Sequence, residues 1–216
     1  MIELYSDGSP NGHKISIALE ELGTQYTVNP VSVFTGEGQS DEFLSINPNG
    51  KIPVIRDTAT GQVVTESNAI LLYLADQAGK LIPAQGQERW RAIELLLFQA
   101  STVGPMFGQR AHFTIMAPET IPYGMERYLK ESNRINWVVD ELLSDRPYFL
   151  SDYSIVDIAF YGWYFTAEHM GFATKPYPNL HEWYRRVGAR PAVQQGVTVP
   201  KELPELPPRK DLAVSA

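Results

Sequence analysis

Pro53 is the residue that most restricts how this chain can fold, because it stands at the start of a strand predicted for Ile52 to Arg56. Proline lacks the N–H that a central strand needs, so it is tolerated at a first strand residue or on an edge. An ordinary edge-strand proline is one reading. The other is a cis Ile52-Pro53 bond that turns the Ile52 backbone outward, where it pairs with an extended ligand as a neighbouring strand would.

The pair Glu66-Ser67 opens a helix predicted from Glu66 to about Ala78. Capping and the helix dipole alone favour a carboxylate and a hydroxyl at such a position. The functional alternative gives each side chain a ligand group. Ser67 and its N–H bind a carboxylate at the positive helix end, and Glu66 pairs with an ammonium. An α-amino acid terminus carries both groups on one carbon and fits this pair.

Ser9 and Asn11 flank Pro10 just before the first predicted helix. Either side chain can serve as its N-cap. The alternative is that the Asn11 amide donates a hydrogen bond to a ligand sulfur and favours its thiolate form. This lowers the pKa of the thiol and raises its reactive fraction at neutral pH. Tyr5 and Tyr26 are rival donors, although both lie in strand patterns typical of a core.

The spacing of apolar residues predicts two domains of different class. Residues 1–80 have the order βαβ-ββα, in which a right-handed crossover joins parallel strands and a hairpin follows. Residues 88–198 carry only helical stripes and predict an all-α domain. The boundary falls in residues 79–87, and the proline-rich residues 199–216 are expected to form an extended tail.

Three local expectations refine this outline. Tyr26 to Val33 predicts the second strand, and Thr35 to Gln39 a flexible loop. Gly104-Pro105 lies inside a helical stretch and should kink or break it. One helical stripe is formed by Ile93, Leu96, Leu97 and Ala100.

Composition excludes several classes of function. The 216 residues include no cysteine, so disulfides, thiolate metal sites and a protein-borne thiol nucleophile are excluded. A net charge of −7 without a basic run argues against nucleic acid or an anionic membrane surface as partner. The four histidines show no metal-ligand spacing, so no metal is expected. No apolar run spans a bilayer and no signal-peptide pattern is present, so we expect a cytoplasmic protein.

Together these motifs resemble the cytosolic glutathione transferases, in which a thioredoxin-like domain precedes a helical domain. Ile52-Pro53 and Glu66-Ser67 match that family's glutathione site, and Ser154-Ile155-Val156-Asp157 matches its helical capping box. Three longer segments make the likeness more specific: Ser9-Pro10-Asn11-Gly12-His13-Lys14, Asn49-Gly50-Lys51-Ile52-Pro53 and Gly104-Pro105-Met106-Phe107-Gly108-Gln109. They are similar to the bacterial nu class, glutathione-dependent disulfide-bond reductases related to a fungal nitrogen-regulator prion protein.

The resemblance implies roles for Asn11 and Ser9. Asn11 takes the place of the family's usual catalytic tyrosine, serine or cysteine. Ser9 stands where this class has a threonine near the sulfur, a change that keeps the hydroxyl. The resemblance also implies a two-fold homodimer.

Further residues are implied as glutathione contacts. They are Gln39, the backbone of Ile52 and, as a charge beside the site, Lys51. Arg134 falls where the class places an arginine for a second glutathione molecule. Its alternative is a solvated helix face, opposite the stripe that contains Ile135 and Val138.

Three functions are consistent with these residues. In the leading one, a glutathione thiolate stabilised by Asn11 attacks a substrate disulfide, and a second glutathione resolves the mixed disulfide. Conjugation of small electrophiles, or a peroxidase reaction, would use the same binding site with another acceptor pocket. A glutathione-fold interaction module without catalysis is the third, and the complete set of site residues argues against it.

Overall fold

The structure is a computed structural model that describes residues 1–32, 35–172 and 174–201, together with Leu203 and Lys210. A four-stranded mixed sheet with its helices is followed by a helical region. This confirms the predicted fold class, a thioredoxin-like α/β region followed by an all-α region. None of the helices in the described ranges combines the length and the apolar composition that a membrane span requires.

The N-terminal region has the predicted βαβ-ββα order with one additional helix. Its elements are β1 (Ile2–Ser6), α1 (Pro10–Leu22), β2 (Tyr26–Pro30), α2 (Asp41–Ile46), β3 (Val54–Asp57), β4 (Val63–Val64) and α3 (Ser67–Ala78). The strand order is β2-β1-β3-β4. β1 pairs parallel with β2 and antiparallel with β3, so that Leu4 lies opposite both Val28 and Ile55.

The segment after β2 differs from the sequence prediction. β2 ends at Pro30, and Val33 lies outside the described residues. The expected loop contains a 3₁₀ turn at Glu37–Gln39 and leads into α2, which was not predicted. α2 has six residues and buries only Phe43, so it is too short to show a helical stripe.

The helical region contains α4 (Gly86–Phe98), α5 (Gly104–Ala111), α6 (Pro122–Leu142), α7 (Ile155–His169), α8 (Pro178–Gly188) and α9 (Pro191–Gly196). The predicted capping box begins α7. The Ser154 side chain accepts a hydrogen bond from the helix backbone, and Asp157 accepts one from the Ser154 N–H at 2.9 Å. Asp157 also accepts from the indole N–H of Trp183 at 2.8 Å, which ties the start of α7 to α8.

The helical path does not break at Gly104-Pro105, contrary to one of the two expected outcomes, but the helix type changes there from π to α. A π-helical segment at Gln99–Val103 leads directly into α5, and Gly104 keeps helical angles of φ −58° and ψ −56°. Pro105 stands in the first turn of α5. The wider π turn accommodates the missing N–H of proline without ending the helical path.

The buried face of α4 differs from the predicted stripe. Its buried residues are Ala92, Leu95 and Leu96, whereas Leu97 is 63% exposed. Ala100 is exposed as well. The inner face continues to a polar residue, Gln99, which is fully buried. Because that glutamine interrupts the apolar pattern, sequence spacing favoured a face shifted by one residue.

The two regions share one continuous core. A Cβ at Gly162 of α7 would lie 2.5 Å from the carbonyl oxygen of Pro10, so only glycine permits this approach to α1. α9 packs in the same way, since a Cβ at Gly196 would lie 2.6 Å from the Cα of Ile17. α1 is therefore in close contact with the helical region at both Pro10 and Ile17.

The proline-rich segment falls largely outside the described residues, which after position 200 comprise Lys201, Leu203 and Lys210. Lys201 pairs with the buried Asp7 at 2.8 Å. The backbone N–H of Lys210 donates to the carbonyl of Thr114 at 2.8 Å. The tail and the boundary at residues 79–87 stay predictions.

Candidate functional site

A cavity of about 340 Å³ lies where the start of α1, the loop before α2 and the segment before β3 face α7. This volume lies in the range of small-molecule pockets. The residues predicted from sequence that line it are Ser9, Asn11, Gln39, Lys51 and Ile52. Trp163 of α7 forms part of the wall. We call this space the Asn11 cavity.

Ser9 is the N-cap of α1. It has extended angles of φ −151° and ψ 158°, and its hydroxyl accepts a hydrogen bond from the Gly12 N–H at 3.1 Å. A Cβ at Gly12 would lie 2.4 Å from the carbonyl oxygen of Asp7, so the turn requires glycine there. Because Ser9 performs the capping, the Asn11 side chain is available for another task.

The side-chain oxygen of Asn11 contacts two side chains. It accepts a hydrogen bond from the indole N–H of Trp163 at 2.9 Å, and the Ser67 hydroxyl lies 3.5 Å from it. An indole N–H only donates, so the atom facing it must be the amide oxygen. The amide nitrogen of Asn11 has no hydrogen-bond partner among the described residues. Its two N–H groups are thus available to a ligand in the Asn11 cavity.

The rival donors lie elsewhere. The hydroxyl of Tyr26 donates to Glu20 at 2.6 Å, and the hydroxyl of Tyr5 donates to Glu3 at 3.4 Å. Neither tyrosine lines the Asn11 cavity. Of the three candidate donors, Asn11 is the one that lies at the cavity.

The Ile52-Pro53 peptide bond is cis, as one of the two sequence readings expected. Pro53 itself is buried. Neither the N–H nor the C=O of Ile52 bonds to another described residue, whereas the neighbouring carbonyl of Lys51 accepts from the Asn47 amide at 2.7 Å. An unpaired backbone at the cavity wall can pair with an extended peptide-like molecule.

Glu66 and Ser67 begin α3 without an ordinary cap. Glu66 has a φ of 63° and a ψ of 113°, a conformation that non-glycine residues rarely adopt and that clusters at functional sites. Its side chain makes no capping bond, and it is exposed. Among the described residues, no side chain caps the first N–H groups of α3, so the positive end of this helix is uncapped.

Lys14 is a buried cation below this helix start, and sequence analysis overlooked it. It is 1% exposed, and its ammonium donates to Ser67 at 3.1 Å, Asn68 at 3.1 Å and Gln99 at 2.6 Å. Burial lowers its pKa to about 7, against a smaller opposing effect of Glu66. A signal was present in the sequence, because Lys14 shares a helix face with Ala18, four residues later.

Arg134 does not line the Asn11 cavity. Its exposed guanidinium forms a two-point ion pair with Glu131, at 2.9 and 2.7 Å. Both residues line another hollow of about 660 Å³, together with Met106 and Tyr123. This position fits the alternative of a solvated helix face, and a role at a second glutathione stays a prediction.

Three phenylalanines of the helical region pack against other aromatic rings. Phe107 is 1% exposed and packs edge-on against Tyr164. Phe98 packs against Phe160, and Phe113 stacks on Tyr128. Within the described residues, no three histidine, aspartate or glutamate side chains gather in a way that would hold a metal ion.

Comparison with protein families gives two matches that cover most of both regions. Residues 8–77 match the glutathione S-transferase N-terminal domain. Residues 105–191 match the glutathione S-transferase C-terminal domain. The first match contains all the predicted site residues except Arg134, which lies in the second.

Individual relatives agree with this result. The disulfide-bond oxidoreductase YfcG of Escherichia coli is 38% identical over 203 residues, which cover 91% of this chain and 94% of that protein. A glutathione transferase homologue from Lodderomyces elongisporus, solved with two GSH per subunit, has a TM-score of 0.88 and 38% identity, covering 92% of this chain and 98% of that one. A glutathione transferase from Pseudomonas putida, with one glutathione disulfide bound per subunit, has a TM-score of 0.85 and 36% identity, covering 92% and 91%. This chain therefore belongs to the glutathione S-transferase family of enzymes, and a bacterial disulfide-bond oxidoreductase is among its relatives.

Proposed function

We propose that this enzyme is a glutathione-dependent disulfide-bond reductase in which the Asn11 amide stabilises the thiolate of bound glutathione. The observation that carries the proposal is the state of the Asn11 side chain. Its oxygen is held by Trp163 at 2.9 Å, and its nitrogen is unpartnered at the cavity. Two N–H donors aimed at a sulfur favour the anion over the neutral thiol.

The remaining contacts follow the chemistry of the tripeptide. The γ-glutamyl end carries an ammonium and a carboxylate, which suit Glu66 and the uncapped start of α3 at Ser67. The cysteinyl backbone pairs with the free N–H and C=O of Ile52. The glycyl carboxylate lies toward Lys51 and Gln39, which line the Asn11 cavity together with Ile52.

The reaction uses only sulfur from ligands, because the chain contains no cysteine. The first glutathione thiolate attacks one sulfur of the substrate disulfide, forming a mixed disulfide and releasing a substrate thiolate that takes up a proton. A second glutathione thiolate attacks the glutathione sulfur of the mixed disulfide. The products are glutathione disulfide and the second substrate thiol. The protein contributes orientation and electrostatic stabilisation.

The ligands bound in two relatives support a two-glutathione reaction. One relative holds two GSH per subunit and another holds one glutathione disulfide per subunit. These ligands correspond to the two reductant molecules and to their oxidised product. Arg134 remains our candidate for the second molecule, and the homodimer and the cytoplasmic location remain predictions.

The test is Asn11→Ala, compared with Ser9→Ala, which removes the other candidate side chain of the same turn. Removing the donor should lower kcat/KM on a dialkyl disulfide by about 100-fold, the usual effect of deleting one anion-stabilising group. The glutathione Kd should change by less than about threefold, because most of the binding contacts remain. Ser9→Ala should reduce thermal stability through the lost cap, with a smaller effect on kcat.

Assays on three classes of substrate distinguish disulfide reduction from conjugation. Wild-type protein is assayed in parallel on a dialkyl disulfide, a chlorinated nitroarene and an organic peroxide. We expect the disulfide to give the highest kcat/KM. Unchanged turnover in Asn11→Ala would remove Asn11 from the mechanism, and a dominant nitroarene rate would replace reductase by conjugase. A calorimetric titration without glutathione binding would favour a non-catalytic module.

A further inference from the structure

The helical region contributes one side chain to the wall of the Asn11 cavity, beside Asn11. Trp163 lies on α7, 152 residues from Asn11 in sequence, and its indole N–H donates to the Asn11 oxygen at 2.9 Å. The ring is partly buried, and it lines the cavity beside Asn11. No sequence motif pointed to this residue.

The hydrogen bond decides which way the Asn11 amide faces. A primary amide has two orientations of nearly equal shape, one with N–H donors toward a ligand and one with a carbonyl oxygen. A carbonyl oxygen beside a thiolate is repulsive, whereas an N–H is attractive. The flipped orientation would also set the amide N–H against the indole N–H, leaving two donors without an acceptor. The hydroxyl of Ser67 lies 3.5 Å from the oxygen and is a weaker constraint.

The indole packs against α5. A Cβ at Gly104 would lie 3.2 Å from the indole nitrogen, and one at Gly108 would lie 3.4 Å from the ring. The indole ring therefore packs closely against α5 at these two glycines. Next to Trp163, Gly162 brings α7 close to the start of α1. Packing of the ring against α5, and of α7 against α1, restricts the position from which the indole N–H reaches Asn11.

We propose that Trp163 is a positioning residue: its indole N–H fixes the Asn11 amide with the N–H groups toward the glutathione sulfur, so that the helical region sets the reactivity of a thiol bound by the α/β region. This inference rests on the proposed function, because it requires Asn11 to act on the sulfur. It adds a residue that acts through Asn11 and does not touch the reacting atoms.

The experiment is a double-mutant cycle with Trp163→Phe and Asn11→Ala. Phenylalanine keeps an aromatic ring and removes the N–H. Two quantities are measured in all four proteins: the pKa of bound glutathione, followed by thiolate absorbance against pH, and kcat/KM on a dialkyl disulfide. Trp137→Phe, at an exposed position on α6, is the matched control for loss of an indole.

We expect Trp163→Phe to raise the pKa of the bound thiol and to lower kcat/KM below that pKa by about tenfold, the loss typical of one hydrogen bond to a group that contacts charge. In the Asn11→Ala background the same change should have almost no further effect. The glutathione Kd should stay within about twofold, and Trp137→Phe should behave as wild type.

Equal losses from Trp163→Phe in both backgrounds would show that the ring serves only packing and would overturn the inference. So would an unchanged thiol pKa in Trp163→Phe when Asn11→Ala does raise it, and the proposed function would then survive. If neither variant changes the thiol pKa, both proposals fail. Should Trp163→Phe not fold, benzothienylalanine at position 163 removes the N–H while keeping the bicyclic ring, and the same outcomes apply.

Discussion

The α/β region and the helical region contribute to the site in different ways. In the α/β region each candidate contact comes from a short segment whose backbone presents it, as with the Ser9 cap, the unpaired Ile52 backbone and the uncapped start of α3. The helical region contributes side chains that cross the interface between the two regions. Trp163 holds Asn11, and Gln99 holds Lys14. The first region thus supplies the candidate ligand-binding groups, and side chains of the second hydrogen-bond to two residues near them.

The largest effect is expected from a substitution at the contact between α1 and α7, where the two regions meet. In Gly162→Val the new side chain meets the Pro10 carbonyl, where even a Cβ would lie at 2.5 Å. α7 must then move away from α1. We expect a loss of about 3 kcal/mol in the free energy of unfolding, measured by urea titration.

Gly108→Ala is the matched control, because its Cβ meets the indole at an ordinary 3.4 Å and alanine favours a helix. It should change the free energy of unfolding by less than about 1 kcal/mol. Equal losses in the two variants would mean that the close approach at Gly162 has no special weight.

The pH dependence of the free energy of unfolding tests a second contact between α1 and α7, that of His13 with Phe165. His13 on α1 is fully buried, packs edge-on against Phe165 of α7, and neither ring nitrogen has a hydrogen-bond partner among the described residues. Burial lowers its pKa to about 4, against a weaker opposing effect of Asp7. Between about pH 6.5 and 4 the unfolded chain binds a proton at this residue that the folded chain does not.

Stability from this residue is therefore complete above about pH 6.5 and declines as the pH falls toward 4. We expect a decline on the order of 2 kcal/mol in the wild type that His13→Phe lacks, measured by urea titration at several pH values. The carboxylates contribute equally to both proteins, so the difference isolates His13. Parallel pH profiles would contradict this assignment.

Lys14 provides a smaller test on the ligand side. Its charge lies below the start of α3 with Ser67 as a partner, so it favours a carboxylate bound there. At pH 6.5, below its pKa of about 7, Lys14→Met should weaken glutathione binding by about tenfold, measured by calorimetry. Lys51→Met removes an exposed, screened charge from the Asn11 cavity and should weaken binding only about twofold. A larger effect at Lys51 would reverse the proposed ranking of the two cations.

Sequence reasoning succeeded where the physical cause is local. A proline at a strand start and a hydroxyl before a helix each act within a few residues. The order of strands and helices follows from the same local patterns. Of the segments predicted in this way, Ser9 and Ile52 line the Asn11 cavity.

The residues that sequence reasoning missed act across long separations. Trp163 and Asn11 meet only because Gly162 lets α7 approach α1, and no periodicity encodes that contact. Lys14 was missed because a lysine on a helix normally indicates solvent, whereas three oxygen acceptors surround this one. The buried face of α4 was predicted wrongly because a polar residue, Gln99, continues that face. Gln99 is buried because it hydrogen-bonds to Lys14 and Asn68.

A crystal structure with glutathione bound is the most direct test of the central claim that Asn11 holds a ligand thiolate through its amide nitrogen. We predict the cysteinyl sulfur at hydrogen-bond distance from that nitrogen, with the Asn11 oxygen still on the Trp163 indole. A sulfur that faces the Ser9 hydroxyl or the Arg134 hollow, with the Asn11 amide turned away, would contradict the account.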